Sequence, residues 1–222
     1  MLCDFHTHTL LSDGNLTPLE LIRRASVAGY RAVAITDHVG SGSLARVVQE
    51  TRQDCALARA HWDILAIPGV ELTHMPPSTL AETARKAKEL GASLVVVHGE
   101  TPVEPVIRGT NLAAVQCPFV DILAHPGRLT AEEATLASQN GVFIEITTRR
   151  GHCLSNIDVA SAAKQSGARV LLNSDAHAPD DLLSPELVAS TARAAGLDNS
   201  LFNHVLETNI SFLLERLQSS LG

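Results

Sequence analysis

The strongest constraint on the fold is a regular alternation between short apolar runs and longer segments of helical character. Seven runs have the length and composition of β-strands, namely residues 2–6, 31–36, 64–71, 94–98, 120–125, 142–147 and 170–173. This alternation is typical of a parallel sheet with crossover helices. Runs such as Leu94 to Val97 are apolar on both faces, as expected for strands covered by helices, which disfavours an antiparallel sandwich.

Helical segments fill the intervals between these runs. Thr17-Pro18-Leu19-Glu20 has the pattern of a capping box with proline in the first turn. Further helices are predicted over residues 44–60, 78–90, 131–139, 156–165 and 185–195, with a weaker segment over 103–115. The chain of 222 residues is predicted to form one α/β domain, residues 1–222, with a helical cap over about 197–222 and no further strand there.

Each predicted strand ends at a side chain that is able to bind a metal ion. These side chains are His6 and His8, Asp37 and His38, Glu71, His98, His125, Glu145, and Asp175 with His177. In a parallel barrel the carboxyl ends of all strands meet on one face, where such barrels carry their chemistry. Residues far apart in the sequence are therefore expected to lie close together.

A single histidine at a strand end is more often a structural residue than a ligand. Here six of the ten histidines end strands, whereas a scatter unrelated to structure would place most of them in helices and loops. Together with Asp13, Glu71 and Asp175 they exceed the three protein ligands that one catalytic zinc commonly takes. The set predicts two or three divalent ions, and imidazole with carboxylate and without thiolate suits Zn, Mn or Fe.

Clustered divalent ions generate hydroxide near neutral pH and neutralise oxyanions, which is the chemistry of phosphoester hydrolysis. The residues alone therefore predict a multinuclear metallohydrolase and leave phosphoester and amide or lactone substrates open. The net charge of −7 and the aromatic content of 3% argue against a surface for extended nucleic acid, because such a surface needs clustered basic residues and stacking platforms.

The N-terminal sequence Met1-Leu2-Cys3-Asp4 lacks the basic and apolar regions of a signal peptide, and no apolar run is long enough for a membrane span. The four cysteines are far apart and form no C-x-x-C pair, so we expect them to be reduced and mostly buried. These features predict a cytoplasmic protein that does not enter a membrane. The sequence leaves a homo-oligomer open.

Four motifs, in order, resemble those of the PHP (polymerase and histidinol phosphatase) family. They are Asp4-Phe5-His6-Thr7-His8-Thr9 with Ser12-Asp13-Gly14, Ile35-Thr36-Asp37-His38, Ala124-His125-Pro126, and Asn173-Ser174-Asp175-Ala176-His177. The isolated stretches Gly69-Val70-Glu71 and Val97-His98-Gly99 fill the gaps between them. Because the motifs span residues 4–177, the resemblance covers most of the chain.

The resemblance implies a distorted (β/α)7 TIM-like barrel that holds a trinuclear metal centre. The implied ligands are His6, His8, Glu71 and Asp175 for the first ion, Glu71, His98 and His125 for the second, and Asp13, His38 and His177 for the third. Some family members use a histidine near the position of Asp13, but residue 14 is glycine here. A metal-bound hydroxide is expected to attack phosphorus, with Glu71, Asp175 and His177 as the catalytic candidates.

Five residues are candidates for contacts with the substrate. Arg149, Arg150 and His152 follow the sixth strand and are expected over the metals, where guanidinium groups suit a phosphate. Arg128 lies three residues beyond His125, and His74 lies just past Glu71. For each of them a solvated or backbone-capping loop residue is the alternative interpretation. Glu145 is a candidate for orienting a ligand histidine.

The sequence leaves three functions open. The favoured one is a metal-dependent phosphoesterase that hydrolyses a small phosphomonoester, similar to histidinol phosphate phosphatases. The second is a nuclease or phosphodiesterase acting on nucleotides or nucleic-acid ends, against which the acidic balance weighs. The third is a non-catalytic barrel like a ribonuclease P protein subunit, which shares the fold but lacks the metal residues. The full ligand set here points away from that role.

Overall fold

The computed structural model describes residues 2–197, 202 and 204–218. The strands are β1 (Leu2–Asp4), β2 (Tyr30–Ile35), β3 (His38–Val39), β4 (Leu65–Leu72), β5 (Leu94–His98), β6 (Ile122–Ala124), β7 (Phe143–Thr147) and β8 (Val170–Asn173). The helices are α1 (Pro18–Val27), α2 (Leu44–His61), α3 (Pro77–Leu90), α4 (Thr110–Gln116), α5 (Ala131–Asn140), α6 (Asn156–Ser166), α7 (Pro185–Ala194) and α8 (Ile210–Gln218). Short 3₁₀ turns span His152–Ser155 and Pro179–Asp181, and a π-helical turn spans His204–Asn209.

The strands form one parallel sheet that curls into a nearly closed barrel. Its order is β1-β2-β4-β5-β6-β7-β8, and the two-residue β3 extends the line of β2 and pairs with β4. The two edges meet just beyond β1 and β8, where the Asp175 N–H donates to the His6 carbonyl at 3.0 Å and the His8 N–H to the Ala176 carbonyl at 2.8 Å. The predicted single-domain α/β barrel of seven parallel strands is confirmed.

The first strand ends at Asp4, two residues earlier than the sequence predicts. Beyond it, side chains replace the strand ladder as acceptors for the backbone. The Phe5 N–H donates to Asn173 Oδ1 at 3.0 Å, and the Thr7 N–H donates to Thr36 Oγ1 at 3.0 Å. The segment that carries His6 and His8 is therefore fixed by these side-chain hydrogen bonds together with backbone hydrogen bonds to Asp175 and Ala176, and not by a continuous strand ladder.

The interior of the barrel is filled by side chains that alternate with those facing the helices. The inward set is Cys3, Phe5, Ala32, Ala34, Ile67, Leu94, Val96, Ile122, Ala124, Phe143 and Leu171. Helix α8 adds Ile210, Leu213 and Leu217 to this cluster. Its Arg216 reaches Asp121, just before β6, and the Gly141 carbonyl, just before β7, each at 2.9 Å. Helix α8 thus covers the amino-terminal end of the barrel, opposite the predicted site.

Part of the predicted C-terminal cap, over about 197–222, lies outside the described residues. Within the described part, the π-helical turn and α8 are helical, as the sequence predicts. None of the described helices combines the length and apolar character that crossing a membrane requires. All four cysteines are free, and Cys153 is the one that is partly exposed.

Replacing Leu213 by alanine is expected to destabilise the barrel by about 3 kcal/mol, because the side chain is fully buried in the interior cluster and alanine leaves a cavity. Urea unfolding followed by circular dichroism measures this change. Glu215→Ala on the exposed face of α8 is the matched control and is expected to change stability by less than about 0.5 kcal/mol. Equal stability of the two variants would show that α8 does not seal the interior.

The helix starts agree with the sequence, with one correction. Thr17 caps α1 by accepting a hydrogen bond from the Glu20 N–H at 3.3 Å. The predicted capping box is wrong, because the Glu20 carboxylate pairs with Arg24 one turn later, at 2.9 Å. Thr130 and Glu133 form the full reciprocal box at the start of α5.

Candidate metal centre

The nine residues predicted as metal ligands all lie on the face formed by the carboxyl ends of the strands. They are His6, His8 and Asp13 after β1, His38 in β3, Glu71 in β4, His98 at the end of β5, His125 after β6, and Asp175 and His177 after β8. His6, His8 and Glu71 are fully buried, whereas Asp13 is exposed at the rim. The fold therefore brings together side chains separated by up to 171 positions in the sequence.

The innermost group contains His6, His8 and Asp175. Their donor atoms all lie within 4.8 Å of one another. His8 Nε2 is 3.0 Å from Asp175 Oδ1, and His6 Nε2 is 3.7 Å from the same oxygen. Two imidazole nitrogens and a carboxylate oxygen that converge in this way have the donor chemistry of a divalent-cation site.

The Glu71 carboxylate faces two groups at once. Its Oε1 is 3.2 Å from His6 Nε2 and 3.8 Å from His125 Nε2. Its Oε2 is 2.5 Å from His38 Nδ1 and 3.8 Å from His8 Nε2. His6, Glu71 and His125 form a second group of donor atoms within 4.8 Å. The two oxygens of Glu71 therefore face two neighbouring candidate metal positions.

His98 lies beside this second group. Its ring centroid is 4.5 Å from that of His125. However, its Nε2 is 3.1 Å from the carboxylate of Glu104, and its Nδ1 is 3.1 Å from the Gly99 carbonyl. The sequence pattern does not single out Glu104, which lies in the connection between β5 and α4.

A third group surrounds Asp13 at the rim. It contains His8, Asp13, His38 and His177, with all donor atoms within 4.8 Å. Asp13 Oδ2 is 3.3 Å from His177 Nε2, and Asp13 Oδ1 is 3.7 Å from His38 Nε2. The turn Ser12-Asp13-Gly14 thus places a carboxylate between two histidines that come from the strand ends on either side of β1.

Residues behind the centre hold the ligand histidines in place. Glu145 Oε2 is 2.7 Å from His6 Nδ1 and accepts a further hydrogen bond from Asn173 Nδ2 at 3.1 Å. This contact orients the His6 ring so that Nε2 faces Glu71 Oε1 and Asp175 Oδ1, where a metal ion would bind in place of a proton. Asp37 accepts hydrogen bonds from the Thr9 hydroxyl and the Ser12 hydroxyl, both at 2.7 Å, and so ties down the loop that carries Asp13.

Two of the predicted ligands, Asp175 and His125, have left-handed backbone conformations, with φ of 55° and 24°. Such conformations cost about 1–3 kcal/mol each in residues other than glycine. At Asp175 the surrounding contacts hold the chain: the Ser174 hydroxyl and N–H both donate to buried Asp4, and the Asp175 N–H donates to the His6 carbonyl. The strain is thus maintained where it directs a carboxylate into the centre.

The electrostatics of the centre raise the pKa of His6 and lower the pKa of two other central histidines. Burial opposes protonation of His6, but Glu145, Glu71 and Asp175 outweigh it and raise the pKa well above the usual value. Burial and neighbouring imidazolium groups lower the pKa of His8 and of His125 well below the usual value, so both side chains are neutral near pH 7. A hydrogen bond from His177 lowers the pKa of Asp13 to about 2.

The residues present fit a set of bound cations. Among the described residues, seven buried side-chain atoms of five predicted ligands make no hydrogen bond: His6 Nε2, Nδ1 and Nε2 of both His8 and His125, Glu71 Oε1 and Asp175 Oδ1. Buried polar atoms without a partner cost about 1–3 kcal/mol each. Most of these atoms carry lone pairs that point towards one another. A divalent cation would accept several of these lone pairs at once, whereas another hydrogen-bond acceptor would only repel them.

The predicted substrate residues lie around this face in different surroundings. Arg149 pairs with Asp181 at 3.3 Å, and Arg149 and Arg150 line a cavity of about 390 Å³. Arg128 is exposed. His74 and Glu104 line a second cavity of about 330 Å³, which Asp13 and His38 border. Arg149 and Arg150 therefore border a cavity separate from the one beside Asp13 and His38.

Asp181 is a second residue that the sequence pattern does not indicate. Its Oδ2 accepts hydrogen bonds from the backbone N–H groups of His177 and Ala178 at 3.0 and 2.9 Å, as well as from Arg149. It thereby couples the arginine-bearing loop to the strand end that carries His177. Its position in a short 3₁₀ turn gives no periodic signal in the sequence.

Comparison with known proteins supports the resemblance to the PHP family. The sequence model of the PHP domain matches residues 4–166. The chain is 46% identical to the uncharacterized protein MJ1295 of Methanocaldococcus jannaschii, over 96% of this chain and 99% of that protein. It is 30% identical to the probable phosphatase TTE1963 of Caldanaerobacter subterraneus, over 80% of this chain and 76% of that protein.

A solved structure shares the fold at low sequence identity. The histidinol phosphate phosphatase of Lactococcus lactis, crystallised with zinc, L-histidinol and phosphate, is 16% identical to this chain. The two structures have a TM-score of 0.61, over 88% of this chain and 94% of that one. Because the domain match covers most of the chain and includes the strand ends that carry the predicted ligands up to His125, this metal-dependent hydrolase of phosphoric esters belongs to the PHP family.

Proposed function

We propose that the protein hydrolyses a small phosphomonoester at a centre of three divalent ions, in the manner of a histidinol phosphate phosphatase. The observation that carries the proposal is the convergence of eight of the nine side chains into groups of imidazole and carboxylate donors, with His98 beside His125. The proposed ligands are His6, His8, Glu71 and Asp175 for the first ion, Glu71, His98 and His125 for the second, and Asp13, His38 and His177 for the third.

The donor set supports Zn, Mn or Fe as the bound metal, because it combines imidazole with carboxylate and contains no thiolate. Such ions would supply Lewis acidity, which acidifies water and neutralises the negative charge of a phosphate ester. Through its two oxygens Glu71 would bind two neighbouring metal ions. Glu145 orients the ring of His6. The cytoplasmic location stays a prediction.

Asp175 and His177 are the proposed groups for proton transfer. Burial raises the pKa of Asp175 to about 7, with His6 acting in the opposite direction. A cation beside this carboxylate would lower its pKa again, so the ligand role is the stronger of the two for Asp175. His177 lies nearer to solvent, with Nε2 towards Asp13, which suits exchange of a proton at the rim.

The size and charge of the accessible space support a small substrate. The mouth beside Asp13, His38 and Glu104 has a volume of about 330 Å³. The chain has a net charge of −7, which opposes binding of a long polyanion. Arg149, Arg150, Arg128 and His74 remain the proposed substrate contacts on this face.

Phosphatase assays on the purified protein test the proposal directly. Release of p-nitrophenol is measured from p-nitrophenyl phosphate and from bis(p-nitrophenyl) phosphate, together with the metal content of the same sample. We expect bound divalent metal and a higher kcat/KM for the monoester. A higher kcat/KM for the diester would instead support the nuclease hypothesis, and a protein with neither metal nor turnover would support a binding module.

Replacing Arg150 by alanine is expected to raise the KM for a phosphomonoester about tenfold, because a charge-assisted contact with phosphate contributes about 1.5 kcal/mol. The value of kcat should change little, because such a contact is made equally to the bound substrate and to the transition state. Steady-state kinetics measure both constants, with exposed Arg193→Ala on α7 as the matched control. An unchanged KM would remove Arg150 from the substrate contacts.

A further inference from the structure

His152 lies at the start of the 3₁₀ turn after β7, and its imidazole is turned into the centre. The residue is 7% exposed. Its ring centroid is 4.3 Å from that of His125. Donor atoms of His125, His152 and Asp175 lie within 4.8 Å of one another. The Nδ1 atom of His152 is buried and makes no hydrogen bond, so this histidine has the same unsatisfied character as the proposed ligands.

Glu104 connects His152 to His98. Its Oε2 is 3.1 Å from His98 Nε2, and its Oε1 is 3.5 Å from His152 Nε2. The carboxylate thus lies between two imidazoles that belong to different strand ends. Its two oxygens divide between two imidazoles, just as Oε1 of Glu71 faces His6 and His125 while Oε2 faces His38 and His8.

The position of Glu104 is set by the packing of its loop. At the base of the loop, Glu100 Oε1 accepts hydrogen bonds from the N–H groups of Gly109 at 2.8 Å and Asn111 at 3.0 Å. Beside Glu104, Val103 packs over Gly151, where a Cβ atom would lie 3.4 Å from the valine side chain. The loop that carries Glu104 is therefore docked against the turn that presents His152.

We propose that Glu104 and His152 are two additional metal ligands, which complete the second position beside His98 and His125. The inference rests on the proposed function, since it assumes that a divalent ion binds there. It explains why His98 faces Glu104 and lies outside the group formed by His6, Glu71 and His125. The second ion would then be held by two loop residues in addition to the residues at strand ends.

The test uses the full chain and the variants Glu104→Gln and His152→Gln. Each protein is loaded with Zn²⁺ and titrated with chelators of increasing strength, and the ions retained per chain are counted. In each variant the affinity of the second metal position for Zn²⁺ should fall at least about tenfold, while the ions at the other positions stay bound. Exposed Glu132→Gln and His61→Gln are the matched controls and should retain the wild-type profile.

Cobalt substitution gives a readout that is independent of activity. The visible absorption of the Co²⁺-loaded protein reports the coordination of the ions, so both variants should show an altered spectrum. Unchanged spectra and unchanged retention in both variants would overturn the inference while leaving the phosphatase proposal intact. If His152→Gln does not fold, Glu104→Gln decides the question alone, because Glu104 lies on a half-exposed loop. Absence of bound metal from the wild-type protein would overturn the proposed function together with the inference.

Discussion

Replacing Glu71 by alanine is expected to remove bound metal from the centre and to lower kcat/KM for a phosphomonoester by more than about 100-fold. Loss of residues that merely orient ligands costs 10- to 100-fold, and Glu71 is in direct reach of four histidines. Its Oε1 lies near His6 and His125, and its Oε2 lies near His8 and His38. Removal of this one side chain therefore weakens adjoining positions at the same time.

Metal analysis and steady-state kinetics on the same preparation measure this result. Glu82→Ala on the exposed face of α3 is the matched control and should retain full metal and full activity. Glu71→Gln keeps the shape of the side chain and separates loss of the carboxylate charge from loss of packing. An active Glu71→Ala protein with full metal occupancy would defeat the assignment of Glu71 as a bridging ligand.

Removing all divalent ions is expected to abolish turnover and to lower the melting temperature. The centre contains buried lone pairs that make no hydrogen bonds among the described residues. A ligand that binds only the folded state contributes about 4 kcal/mol of stability at a free concentration 1,000 times its dissociation constant. The metal-free protein should therefore melt several degrees lower than the loaded one.

Differential scanning calorimetry before and after dialysis against a chelator measures the shift. Separate additions of Zn²⁺, Mn²⁺ and Fe²⁺ to the metal-free protein should restore both activity and melting temperature, and the most effective ion is the one that the centre uses best in vitro. Addition of Mg²⁺ is the control, because it prefers oxygen ligands and octahedral geometry. Equal activity and equal melting temperature with and without chelator would contradict a role for bound metal.

The positions of His6, His8, Glu71 and His98 could be predicted because the barrel gathers its strand ends on one face. Strand boundaries follow from short local patterns, so a polar residue at the end of an apolar run is visible in the sequence. The first strand was nevertheless predicted two residues too long. Its hydrogen-bond partners beyond Asp4 are the side chains of Asn173 and Thr36, which no local pattern reveals.

The loop residues Glu104 and Asp181 could not be predicted for the same physical reason. Their partners are set by how loops dock on one another, as Val103 does on Gly151. Arg149 illustrates the same limit for a residue that the sequence did indicate. Its position after β7 gave the correct face of the barrel, but its pairing with Asp181 depends on a neighbouring loop.

A crystal structure of the metal-loaded protein, with anomalous diffraction recorded at the absorption edge of the bound metal, would locate the ions themselves. We expect three anomalous peaks on the carboxyl-terminal face of the barrel. One should lie among His6, His8, Glu71 and Asp175, one beside Glu71, His98 and His125, and one among Asp13, His38 and His177. A loaded, active protein without anomalous peaks at these side chains would contradict the account.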